Sequence, residues 1–234
     1  MSRPHQNLLT ACDDTKFPSR FKPPPRTHHS DLFIPHALTD TETRLVNHTN
    51  PQQLLITTDG ACNQNAWSSR RGGWAFVYGP SSIREYPGAN VICERLEKEG
   101  PNGHAYAATN HRAELRAVIA ALQWKNWAAE GFTSLVIGTE SAYVVNGITE
   151  WAKEWVRNGF VTPAGLEVAN LDLWKVLLQV VDWVEYEVLF WRVGQRVTGV
   201  ADHFARVAAE KASVVRFKVW VEGGDRFEDS LSDT

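Results

Sequence analysis

The chain has 234 residues, with 24 Lys and Arg against 27 Asp and Glu, a net charge of -3, and 43% hydrophobic residues. This balance excludes a wholly disordered chain and a collagen-like fibre, and it offers no overall basic excess, so any nucleic-acid binding has to be concentrated locally. No run of about 18 uncharged apolar residues occurs, which argues against a membrane span, and Cys12, Cys62 and Cys93 form neither a disulfide framework nor a zinc spacing. A reducing, intracellular compartment is expected: nucleus or cytoplasm, with the mitochondrion left open.

Residues 1–50 hold six of the eleven prolines and none of the ten tryptophans. So few large apolar groups predict a disordered N-terminal tail, with Pro23-Pro24-Pro25 as a stiff spacer. Asp13 and Asp14 count against a transit peptide. From residue 51 the chain alternates strand and helix signals. Leu54 to Thr58 is a β-prone run, Gly73 to Tyr78 a second, and Val91 to Leu96 a weaker third. Leu115, Val118, Ile119 and Leu122 recur at helical spacing and predict a helix over Glu114 to Trp127. Leu135 to Gly138 reads as a buried strand, Ala142 to Gly147 and Glu150 to Arg157 as short helices, and Leu171 to Val181 as a longer one. Val184 to Trp191 reads as a strand, Val200 to Ala212 as a final helix, and Val214 to Trp220 as a possible last strand before an acidic tail. Asp59-Gly60 and Gly100 to Gly103 look like surface turns. The order β-β-β-α-β-α-α-α-β-α implies an α/β architecture, a mixed sheet with helices packed on it. The domain reading is a tail over 1–50, a globular domain over 51–212 and a C-terminal extension over 213–234.

Four carboxylates stand at the ends of apolar elements. Asp59 follows a strand, Glu114 opens a helix, Glu140 follows a strand, and Asp202 opens the last helix. In α/β sheets, sites gather at such strand ends. Four carboxylates brought together would raise one another's pKa unless cations bound them, and oxygen-only ligands suit Mg2+ or Mn2+. Two such ions about 4 Å apart can clamp the attacking and leaving oxygens of a phosphodiester displacement. Taken singly, Glu114, Glu140 and Asp202 each read first as structural, as helix-start capping residues, and Asp59 in Asp-Gly reads as a turn residue.

Several segments together resemble type 1 ribonuclease H. Thr58-Asp59-Gly60-Ala61-Cys62 with Asn65 is similar to that family's opening strand, and Thr109-Asn110-His111-Arg112-Ala113-Glu114-Leu115 to its first helix. Glu140-Ser141-Ala142-Tyr143-Val144, then Trp151, Trp155 and Asn170 to Trp174, follow in its order, and Ala201-Asp202 resembles its last helix start. The likeness runs from Gln53 to Lys211 and is nearest to fungal ribonuclease-H-like proteins. It implies a ribonuclease-H-like fold with a five-stranded mixed sheet flanked by helices. It also implies hydrolysis of the RNA strand of RNA–DNA hybrids, giving 5′-phosphate and 3′-hydroxyl ends, with Asp59, Glu114, Glu140 and Asp202 as catalytic ligands to two Mg2+ ions, or Mn2+. By the same resemblance Asn65, Asn110 and His111 read the hybrid's minor groove and sense its 2′-hydroxyls, and the backbone near Cys62 approaches the RNA strand. Trp151 and Trp155 form a platform for the DNA strand, and Thr109 with Asn170 a pocket for a DNA phosphate. A monomer acting on hybrid, without a membrane, is expected.

Three features depart from that family's pattern. The third carboxylate is usually Asp and here is Glu140, one methylene longer. The loop before the last acid commonly carries a His, and here Gln195 stands near that place, which predicts slower proton transfer or product release. An Arg common two residues before Thr109 is Ala107. A second reading therefore stands beside the enzyme: a catalytically weak module that binds hybrid, double-stranded RNA or a protein without cutting.

Overall fold

The computed structural model describes residues 15–221 and 224–226, apart from 26, 64–69, 82 and 84–89. Strands β1 (Ser19–Arg20), β2 (Phe33–Ala37), β3 (Thr43–Asn47), β4 (Asn50–Cys62), β5 (Gly72–Val77), β6 (Val91–Arg95), β7 (Ser134–Thr139) and β8 (Glu187–Arg192) form one mixed sheet. Its heart is the expected five-stranded order β6-β5-β4-β7-β8, with β4, β7 and β8 parallel and β5 and β6 antiparallel. β4 is long enough to serve two neighbours on one edge. Its first part pairs with β3 and its last six residues, Thr57 to Cys62, with β5.

The two faces of the sheet follow from the period-2 alternation of strand side chains. Leu54, Ile56, Leu135, Ile137 and Phe190 enter the main core. That core is closed by α2 (Asn110–Gln123) and α5 (Leu171–Trp183), with the helical stretch of α3 (Ala142–Asn146), a π-helical turn (Gly147–Trp151) and α4 (Ala152–Asn158) alongside. Leu55, Val136 and Leu189 point the other way and would be bare on a five-stranded domain. Leu32 at the end of the short helix α1 (His29–Leu32) and Phe33 cover them. The expectation of a disordered tail over 1–50 is therefore corrected for the described residues. Pairing of β2 with β3, β3 with β4 and β1 with β8 ties this segment to the sheet. Its few apolar side chains suffice because Leu32, Phe33 and Val46 are almost fully buried, worth roughly 1.5–3 kcal/mol apiece.

The rest of that face is covered by α6 (Gln195–Ala209), whose Phe204 and Ala205 pack on Ala61 and Ala75. The approach is close. A Cβ on Gly73 would lie 2.3 Å from the Ala205 carbonyl oxygen and the Ala209 nitrogen. At the far end Arg116 of α2 is fully buried against Glu97, and also donates to the Lys218 carbonyl at 2.7 Å. The segment expected to end in a strand forms a separate small hairpin, β9 (Val219–Val221) with β10 (Gly224–Arg226), and Trp220 meets Trp74 edge-on. Among the described residues no helix is long and apolar enough to cross a membrane.

Candidate active site

Asp59 lies inside β4, not in a turn after it. Asp59 pairs with Ala75 and Gly60 with Trp74 in β5. The glycine is required by packing: a Cβ there would sit 2.2 Å from the Ala113 carbonyl carbon and the Glu114 nitrogen. The absence of that atom lets the first turns of α2 lie directly against the strand and brings Glu114 beside Asp59. The helix itself begins at Asn110, capped by Thr109, whose hydroxyl accepts from the Arg112 N–H at 3.2 Å. Glu114 therefore sits one turn inside α2 instead of opening it.

Glu140 directly follows β7, which runs parallel to β4, so both acids stand at the same end of the sheet. Asp202 is two turns inside α6, because that helix starts at Gln195 and not at Val200. Asp59 lies within electrostatic reach of the other three acids. The Asp59 carboxyl is pushed up to about 7, first by burial and then by the charges of Asp202, Glu140 and Glu114, against the opposing pull of the Gly60 N–H at 2.7 Å. Burial also raises Glu114, with Glu140 adding to the shift, while a hydrogen bond from Ser141 and the nearby His111 oppose it.

Each of the other three acids is held by a neighbour. The Ser141 hydroxyl donates to Glu114 at 2.7 Å while capping α3 by accepting from the Val144 N–H at 3.2 Å. The hydroxyl of Thr198, a fully buried residue of α6, donates to Glu140. Arg206 donates to both oxygens of Asp202, at 2.9 and 3.1 Å, one helical turn away. Sequence reasoning missed all three partners. Ser141 was legible as a cap; Thr198 and Arg206 carry no signal until the start of α6 is known.

The residues expected to meet a substrate lie beside this cluster. Asn110 and His111 are exposed at the start of α2, and the His111 ring stacks on Tyr143 at 4.1 Å. Cys62 ends β4, its thiol raised by burial and donating to the Ala108 carbonyl at 3.4 Å. Asn65 lies outside the described residues. Thr109 and Asn170 are joined through Arg112: its backbone donates to Thr109, and its guanidinium contacts Asn170 at 3.5 Å while pairing with buried Asp172 at 2.7 and 2.8 Å. The two tryptophans divide their roles. Trp155 packs edge-on against fully buried Trp174 at 5.2 Å, whereas Trp151 is 38% exposed.

The RNase H family model matches residues 51–209, more than half of the chain. The chain belongs to the ribonuclease H family. It is 36% identical over 165 residues to the ribonuclease H of Treponema pallidum, covering 68% of this chain and 92% of that protein. It is also 36% identical over 174 residues to that of Jannaschia sp., covering 74% of this chain and 98% of the relative. Among solved structures, a foamy viral protease-reverse transcriptase in complex with RNA/DNA hybrid matches with a TM-score of 0.50 and 19% identity, covering 76% of this chain and 23% of that one; at this identity it speaks for the fold alone.

Ribonucleases H are hydrolases that depend on divalent metal. The donor chemistry of this site fits that requirement. Four carboxylates offer an oxygen-only set, and a cation would favour the charged form of the Asp59 carboxyl, which is raised first by burial and then by its acidic neighbours. Among the described residues no three acidic, His or Cys side chains already stand at ion-holding spacing.

Proposed function

We propose that the protein hydrolyses the RNA strand of RNA–DNA hybrids to 5′-phosphate and 3′-hydroxyl ends, acting as a monomer. Asp59, Glu114, Glu140 and Asp202 would hold two divalent cations, Mg2+ or Mn2+. When bound, the cations supply Lewis acidity at the scissile phosphate and lower the pKa of the attacking water. The observation that carries this reading is the placement of the acids at one end of the sheet: Gly60 lets α2 bring Glu114 against β4 beside Asp59, and Glu140 follows the parallel strand β7.

The chain's own groups have separable tasks in this reading. Ser141 and Thr198 fix the orientation of Glu114 and Glu140, so that two carboxylates are aimed before substrate arrives. Exposed Asn110 and His111 offer donors and acceptors to the hybrid's 2′-hydroxyls, with Tyr143 backing the imidazole. Cys62 ends β4 beside this face, and Asn65 is assigned to the hybrid by the sequence resemblance alone. Trp151 provides an exposed aromatic edge for the DNA strand, supported by Trp155. Thr109 and Asn170 form the phosphate pocket, held open by the Arg112–Asp172 pair.

A second reading, a module that binds hybrid without cutting, draws on the Arg206–Asp202 ion pair and on Glu140 in place of Asp. One assay separates them. Labelled hybrid, double-stranded RNA, double-stranded DNA and single-stranded RNA are incubated with the protein in Mg2+, in Mn2+ and in EDTA. Cutting confined to the RNA strand of the hybrid, and lost in EDTA, is the expected result. Retained hybrid binding with no cutting in either metal would establish the binding module instead.

A further inference from the structure

The segment before the family match does more than cover apolar strand faces. β1 runs parallel to β8, which itself runs parallel to β7, so the chain leaving β1 points toward the end of the sheet that carries Glu140. Arg20 staples this segment to the helical stretch beside the site. Its guanidinium donates to Glu150 at 2.7 and 3.1 Å and to Asn146 at 2.6 Å. One residue after Glu150 stands exposed Trp151.

Between the segment and that helical stretch lies an open cleft lined by Arg20, Lys22, Thr149, Glu150 and Lys153. Arg20 neutralises Glu150. Lys22 and Lys153 are exposed, and among the described residues neither has a carboxylate within ion-pairing distance. Lys153 instead rests near the Phe17 ring, 5.9 Å from its centroid, which holds its stem toward the N-terminal segment. The cleft therefore presents two uncompensated ammonium groups. Its mouth is wide and it has no aromatic floor for a base. Such a surface suits the phosphates of an extended backbone.

We propose that this cleft takes backbone phosphates of the hybrid's DNA strand beyond Trp151, so that the N-terminal segment is part of the substrate-binding surface. The proposal rests on the hybrid reading above and extends it to residues the family match does not include. Near-neutral overall charge makes local placement of this kind necessary: the chain carries no general basic excess to hold a polyanion.

The test is hybrid binding by the full chain in EDTA, where nothing is cut, followed by fluorescence anisotropy across a salt series. Each phosphate contact contributes about 0.9 to the slope of log affinity against log salt. The Lys22→Ala/Lys153→Ala variant should lower that slope by about 2, narrowing the affinity ratio between 50 and 200 mM salt roughly tenfold. Lys22→Arg/Lys153→Arg should keep the parent slope. Thermal melting of both variants should match the parent, since both side chains are solvent-exposed. A parent that binds hybrid, with slope and affinity unchanged in the alanine variant, would overturn the cleft while leaving the hybrid reading intact. A parent that binds no hybrid would overturn both.

Discussion

Replacing Asp59 by Asn should stabilise the metal-free protein, and the gain should grow with pH. In the unfolded chain this carboxyl ionises near its ordinary value of 3.8, whereas in the folded state it is pushed up to about 7. Between those values the unfolded state has released its proton and the folded state has kept it. Rising pH therefore favours unfolding, and the penalty is complete above about 7, at about 4 kcal/mol. Asn carries no charge and escapes this cost. Burial creates most of the penalty and the neighbouring acids add to it, so the gain reads the combined desolvation and crowding of the Asp59 carboxyl. Equilibrium urea unfolding in EDTA would show the stability difference between Asp59→Asn and the parent widening by about 2–3 kcal/mol from pH 5 to pH 8. Glu114 titrates in both proteins and largely cancels. Adding Mn2+ should stabilise the parent and close the gap. A difference that stays flat with pH would mean that Asp59 is solvated in the native state and that the acids do not converge.

Thr198→Val removes the donor to Glu140 and leaves that carboxylate to swing; the turnover number should fall about tenfold, with Thr198→Ser recovering most of it, as read in a hybrid cleavage assay. Trp151→Ala should raise KM with little change in melting temperature, while Trp155→Ala, which loses its contact with Trp174, should cost roughly 2–3 kcal/mol in urea unfolding. Phe33→Ala should destabilise the fold by about 3 kcal/mol, because Phe33 covers Leu55, Val136 and Leu189; a negligible loss would return the N-terminal segment to a passive tail.

Much of the sheet was legible because buried parallel strands such as Leu135 to Gly138 read as continuous apolar runs, and because helix α2 shows a clean apolar stripe. The misreadings have particular causes. Asp59-Gly60 has the composition of a turn, yet the glycine serves the approach of α2, a tertiary contact that leaves no local trace. Helix α6 looked late because Gly194 and Gly199 break the pattern near its start; the strand end at Arg192 and the burial of Thr198 and Ala201 set its start at Gln195 instead of Val200. The N-terminal segment looked disordered because composition counts apolar groups without weighing how completely Leu32 and Phe33 are buried. The four acids were each ambiguous alone. Their order along the chain, together with the aromatic and asparagine positions between them, is what singles them out as a candidate site. Their hydroxyl and guanidinium partners were not, since Thr198 and Arg206 acquire meaning only through the packing of α6 on β4 and β5.

If Asp59 and its three acidic neighbours form a cation-dependent site for cutting RNA within a hybrid, single-turnover cleavage of a labelled hybrid by the parent and by Asp59→Asn, with hybrid affinity measured on the same samples, will show it. RNA-strand cleavage by the parent in Mg2+ or Mn2+, and loss of cleavage by Asp59→Asn with affinity largely retained, is the expected result. Undiminished cleavage by Asp59→Asn would contradict it.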